Sequence, residues 1–242
     1  CVSVIQDELG HAHYCYRLLE ELGMDREELL YEREPHEFRS TYAFDLPLEN
    51  FAELVTAHGF WDRAGIVLLS DIHEHTSWGP WKRALVKVDK EEQFHLRHGE
   101  TWMRRLANEG GSTKQRLQDA VDWMFPIAIE WFGLPDDMKQ HDEQLEYRIK
   151  GKTNDELRQD WMSTAVPLCE EIDIDVPAHY DEAAGEYVVE YDFPVAFVED
   201  EKRWNFDEPI GWDDVMDRWG SRGPANERHV ELIQSGEVRV GV

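Results

Sequence analysis

Residues Trp81–Arg104 read WKRALVKVDKEEQFHLRHGETWMR, and the spacing inside this stretch decides the fold. Ser77-Trp78-Gly79-Pro80 is a turn, and Pro80 suits the first position of a helix that runs to about Asn108 and stops at Gly110-Gly111. Glu92 and His95 lie three residues apart in it. On an α-helix such residues share one face, about a turn apart, so a carboxylate oxygen and an imidazole nitrogen can meet on one metal ion. Asp7-Glu8-Leu9-Gly10-His11 repeats the spacing near the start of the chain.

Two Glu-x-x-His helices, with one carboxylate from each of two others, build the dinuclear iron or manganese site of ferritin-like bundles. Imidazole and carboxylate donors without thiolate suit those metals. The competing reading is a solvated helix face. The sequence holds 30 Glu and 11 His in 242 residues, and chance placement gives about one such pair. The count of two therefore decides nothing. Context does more: both pairs sit in helical patterns, and the chain between them has room for a two-helix excursion.

Leu48 to His75 is predicted as the helix preceding the turn, so it packs antiparallel to the Glu92 helix. Glu92 stands roughly 20 Å along one helix from the turn and Asp62 roughly 25 Å along the other. Asp62 is nearly level with Glu92, whereas Asp71 and Glu74 lie too near the turn. Asp62 is thus the carboxylate expected from this helix; an ion-paired or solvated Asp beside Arg63 is the alternative.

The remaining chain follows from its punctuation. Val2 to Leu22 carries an apolar stripe of Val4, Ile5, Tyr14, Leu18 and Leu19 and stops at Gly23. A short helical turn is expected at Arg26–Tyr31 and a break at Pro35. Thr113 to Phe132 is a very apolar helix that Pro126 should kink. Residues 133–145 form a polar loop. Thr153-Asn-Asp-Glu156 has capping-box form and opens a helix to about Ile172. Tyr187–Tyr191 is strand-like, residues 194–209 look irregular, and Trp212–Trp219 and Asn226–Ser235 are short helical segments around a Gly-Pro break. The expected fold class is all-α, a ferritin-like helical bundle over 1–150, with a mostly helical extension over 151–242 that packs on it and holds a short β segment.

Composition excludes several function classes. The chain carries 52 acidic and 25 basic residues, a net charge of −27, and none of its Lys falls in the first 80 positions. Phosphate recognition needs Lys and Arg, so nucleic acid is excluded as a partner. The acid is spread along the chain, a pattern suited to molar salt, where screening shortens self-repulsion; a halophilic source is the expectation. Cys1, Cys15 and Cys169 show no Cys-x-x-Cys spacing, which excludes a zinc ribbon or disulfide framework and fits a reducing cytoplasm. No apolar run reaches membrane-spanning length. The chain lacks an initiator Met and opens inside a helical pattern, so it is expected to be a fragment whose first bundle helix lies upstream.

Four stretches carry a resemblance: IQDELGHAHYCYRLLEELG, SWGPWKRALVKVDKEEQFHLRHG, KTNDELRQDWMSTAVP and RGPANER. Together they resemble the catalytic A subunits of bacterial phenylacetyl-CoA epoxidases over nearly the whole chain. The resemblance implies a ferritin-like fold and a di-iron centre that activates O₂ and places one oxygen atom on the aromatic ring of a CoA thioester. It implies electrons from NADPH through a separate flavin and iron–sulfur reductase, a related metal-free C subunit, and with it a small B subunit. By motif, Glu8 and His11 match one ligand pair, and Glu92 and His95 the other; these four are the candidate catalytic residues, with Asp62 added as a candidate metal ligand.

The chain departs from that family in three places, the first being that the family's first ligand Glu lies on a helix upstream of this chain, so that its carboxylate is absent here. Gap-free counting from the Ser77 turn puts the family's helix-three Asp at Arg63, one residue beyond Asp62. The basic residue that the family places before Gln-Asp-Glu, facing CoA, is Val4 here. Beside the ligand turns, Asp7 and Asp89 are possible hydrogen-bond partners of the ligands, with exposed helix acids the plainer reading, and His98 is expected to be solvated or structural. His73 and His75 are expected at the surface. Two other functions stay open: a non-catalytic structural partner in such an oxygenase, and an oxygenase for another aryl-CoA ester.

Overall fold

The computed structural model describes residues 2–34, 37, 41–220 and 224–236. Pro35 and most of the Gly-Pro break lie outside them, as does Cys1. The helices are α1 (Val2–Glu21), α2 (Phe51–His75), α3 (Gly79–Glu109), α4 (Gly111–Glu130), α5 (Glu143–Glu146), α6 (Asn154–Glu171), α7 (Trp212–Gly220) and α8 (Pro224–Gln234). The strands are β1 (Ala178–Asp181), β2 (Glu186–Val189), β3 (Val195–Val198) and β4 (Arg203–Pro209). This is the all-α, ferritin-like bundle, with a small β segment in its C-terminal region.

Local chemistry sets the boundaries. Asn50 caps α2 by accepting a hydrogen bond from the Glu53 amide, which satisfies one of the free donors at a helix start. Pro80 sits in the first turn of α3, where its missing N–H is harmless. Gly110 and Gly111 have φ of 70° and 52°, a conformation that a side chain disfavours, and they turn α3 directly into α4. Thr153 and Glu156 form the complete capping box of α6. α4 runs unbroken through Pro126.

α2 is the hub. It packs on α3, α4 and α6 and is buried on most of its circumference. Phe60 of α2 meets Phe125 of α4 and Trp161 of α6 edge to face, and Phe125 and Trp161 are tilted to each other, with 5.2–5.9 Å between centroids. The Trp161 indole donates to the Phe60 carbonyl at 2.9 Å, so a large apolar side chain is buried without an unpaired N–H. α1, by contrast, lies against α3, and Leu18 is its one buried residue.

Residues 194–209 are ordered, contrary to the irregular segment expected. β3 and β4 form an antiparallel hairpin with a bulge at Val195/Ala196. Its turn carries Lys202 at φ 45°, a position where Gly or Asn would have announced a turn. Tertiary contacts hold it instead: Lys202 Nζ donates to the Pro47 carbonyl at 2.6 Å, pairs with Glu49 and Glu53 at 3.2 Å, and lies over Trp123. The 133–145 loop likewise contains a helical turn, α5, capped by Asp142, and the expected strand at 187–191 is shorter and pairs with β1. The turn near Arg26–Tyr31 continues as a π-helical segment, Glu28–Glu32.

Candidate metal centre

α1 and α3 run antiparallel, and the register follows from three pairs: Asp7 opposite His95, His11 opposite Glu91, and Tyr14 beneath Lys87. This brings the two Glu-x-x-His turns face to face. Glu8 places Oε1 3.1 Å from His95 Nδ1 and Oε2 3.6 Å from His11 Nδ1. Glu92 places Oε1 3.1 Å from His11 Nδ1 and Oε2 3.8 Å from His95 Nδ1. Each carboxylate thus offers one oxygen to each imidazole, the arrangement needed to span two ions.

α2 approaches from the other side. A Cβ at Gly99 of α3 would lie 2.5 Å from the Gly59 amide nitrogen and 2.7 Å from the carbonyl carbon and Cβ of His58. Only glycine permits this backbone contact, and it carries Asp62 to the centre. Two groups of potential ligands result, Glu8/His11/Glu92 and Asp62/Glu92/His95, with the donor atoms of each within 4.8 Å of one another. Glu92 belongs to both. All five residues singled out in the sequence therefore come together.

Arg63, one residue on, turns away: it is buried, donates to the Gly59 carbonyl, and pairs with Glu100 at 2.6 Å. The position that gap-free counting assigns to an acid thus carries a cation with its own counter-ion, and Asp62 faces the cluster.

The imidazoles are oriented crosswise. Nε2 of His11 meets Glu91 of α3 at 3.1 Å, and Nε2 of His95 meets Asp7 of α1 at 3.3 Å. Such a carboxylate partner fixes the tautomer, keeping the proton on Nε2 and the Nδ1 lone pair free. In both motifs the orienting acid immediately precedes the Glu, a signal that singled out Asp7 but missed Glu91. Asp89 has a different role: it accepts from Ser70 on α2 at 3.0 Å. His98 joins neither ligand group, and its ring lies 5.5 Å from that of His58. His75 pairs with Asp71 at 2.9 Å beneath the turn. His58, which packs against the centre, had no sequence signal beyond its place one turn before Asp62.

Electrostatics fit a cation. His95 is fully buried, and its Nδ1 faces the carboxylates of Glu8 at 3.1 Å and Glu92 at 3.8 Å. Burial would raise the Glu8 carboxyl, but the His11 and His95 imidazoles outweigh it and hold the group at about 2. Burial would lower His11, but Glu8, Glu92 and Glu91 push it up to about 10. Glu8 and Glu92 likewise push His95 up to about 10. Burial raises Asp62. Without metal, two imidazolium protons balance the clustered carboxylates, and a bound cation would displace them. Nitrogen and oxygen donors without sulfur, a buried Nδ1 facing two carboxylates and a shared Glu92 fit two ions of iron or manganese type.

Comparison with known proteins places the chain in a family. The family model described as "Phenylacetic acid catabolic protein" matches residues 1–204. The chain is 35% identical over 190 residues to the A subunit of the 1,2-phenylacetyl-CoA epoxidase of Escherichia coli (strain K12), covering 77% of this chain and 61% of that protein. It is 28% identical over 129 residues to the C subunit of the same enzyme, covering 52% of this chain and 51% of that one. The chain thus spans between half and two thirds of the relatives it matches. Among the described residues, no helix is long and apolar enough to cross a membrane.

Proposed function

The chain belongs to the phenylacetic acid catabolic protein family, and on that premise we propose that it is the catalytic subunit of a multicomponent di-iron monooxygenase that epoxidises the ring of phenylacetyl-CoA. One observation carries the reading: both Glu-x-x-His turns keep their donors and aim them at a common space with Asp62.

In this reading Glu8, His11, Asp62, Glu92 and His95 would hold two irons, with Glu92 common to the two groups of ligands. When bound, the pair of irons supplies reductive activation of dioxygen for transfer of one oxygen atom to the ring. The protein's own residues do the rest. Asp7 and Glu91 keep the ring protons on Nε2 and prevent the imidazoles from rotating. Val4 offers no charge to a CoA phosphate. Electrons arrive from NADPH through a flavin and iron–sulfur reductase, and the assembly is completed by the C and B subunits.

The test is turnover of phenylacetyl-CoA by the reconstituted complex under labelled dioxygen. One labelled oxygen atom in the product, dependent on the reductase, is expected. NADPH oxidation by the isolated chain, or an iron-loaded complex inert to phenylacetyl-CoA, contradicts the proposal.

A further inference from the structure

We infer that His58 is a positioning residue for Asp62, holding that carboxylate on the metal centre; the inference rests on the metal-centre reading above. His58 stands one turn before Asp62 on α2, and its Nδ1 lies 2.6 Å from Asp62 Oδ2. Among the described residues the Asp62 side chain hydrogen-bonds to His58 alone. A short aspartate turns freely about two bonds; a partner fixing one oxygen sets the direction of the other.

His58 is itself over-determined. It is 8% exposed, and its ring is wedged between His95 at 6.1 Å and His98 at 5.5 Å. Its backbone is pinned against Gly99, where any side chain would strike its carbonyl carbon and Cβ at 2.7 Å. The chain of support runs from the glycine notch to the imidazole, from the imidazole to the carboxylate, and from the carboxylate to Glu92 and His95. It gives Asp62 what Glu91 gives His11 and Asp7 gives His95: one neighbour dedicated to its orientation.

The experiment is a cobalt(II) titration of the full-length protein, read by ligand-field absorption, in wild type, His58→Leu, His58→Gln, Asp62→Asn and the His58→Leu/Asp62→Asn double variant. Loss of a group that orients a ligand costs about 10- to 100-fold in metal affinity, so His58→Leu should weaken the second cobalt by that factor. His58→Gln, whose amide N–H reaches the same oxygen, should recover most of the loss. The double variant should bind no more weakly than Asp62→Asn, because the histidine acts through the aspartate. Wild-type affinity in His58→Leu, or additive losses in the double variant, overturns the inference. A wild-type protein that takes up fewer than two cobalt ions overturns the metal-centre reading with it. Melting temperature and helical content are measured for each variant. Should His58→Leu not fold, His58→Met, which has no N–H to donate to Oδ2, replaces it with the same expected loss.

Discussion

Replacing Gly99 with alanine tests whether the close approach of α2 and α3 sets the centre. The new methyl would sit 2.5 Å from the Gly59 nitrogen, against at least 3.4 Å for ordinary contact, so α2 must retreat by about 0.9 Å. The atoms struck are mainly backbone and cannot dodge by changing rotamer. Overpacking of this kind costs about 1–3 kcal/mol, and the upper part of that range applies. Alanine in place of glycine returns about 1 kcal/mol of helix propensity, leaving a net loss of about 1–2 kcal/mol. For a chain of this size that lowers the melting temperature by about 2–8 °C. The retreat also carries Asp62 and His58 away from Glu92 and His95, beyond the ~0.5 Å tolerance of a built site, so affinity for the ion between them should fall at least about tenfold. Gly10→Ala and Gly65→Ala are the controls: both glycines lie within helices, and an added Cβ meets nothing within 4 Å. They should match or slightly exceed wild type. Thermal melts and metal titration of the three variants decide it. A Gly99→Ala protein as stable as Gly65→Ala, with unchanged metal affinity, would refute the reasoning.

Three further outcomes are expected. Glu130 is buried at the end of α4, and burial raises its carboxyl to about 7 despite the Arg218 ion pair. A raised folded-state value means that this group favours folding fully below the unfolded value near 4.5 and loses that contribution as pH climbs through 7. The loss is on the order of 3 kcal/mol, so wild type minus Glu130→Gln should show a decline in denaturant midpoint between pH 5 and 8, and a flat difference contradicts it. His95→Ala should abolish product formation and leave the helical content intact; retained activity or a collapsed fold counts against the assignment. With a net charge of −27, self-repulsion should make the melting temperature rise from dilute buffer to molar KCl, and a maximum in dilute buffer would remove the argument for salt adaptation.

How far the sequence could be read depended on the range of the interactions. Helix limits were legible where a single residue enforces them, as at Thr153, Pro80 and Gly110-Gly111. Glu8/His11 and Glu92/His95 were legible because a helical turn brings each pair together without help from the rest of the chain. Asp62 could be placed because the short 76–79 connection makes its depth in the bundle a matter of counting. What escaped depends on contacts between distant segments. The β3–β4 turn is held by Lys202 reaching Pro47 and Glu53, so its own residues show no turn signature. Glu91 orients a histidine 80 positions away. A lone histidine on an apolar helix face reads as core, and the role of His58 emerges only with Asp62 and Gly99 around it.

The most direct test of the central claim is metal analysis of the full-length protein, wild type and Glu92→Gln. Because Glu92 belongs to both ligand groups, the account predicts two irons per wild-type chain and weakened binding of both in the variant. One iron or none in wild type, or a variant that loses a single ion and keeps the other at full affinity, would contradict it.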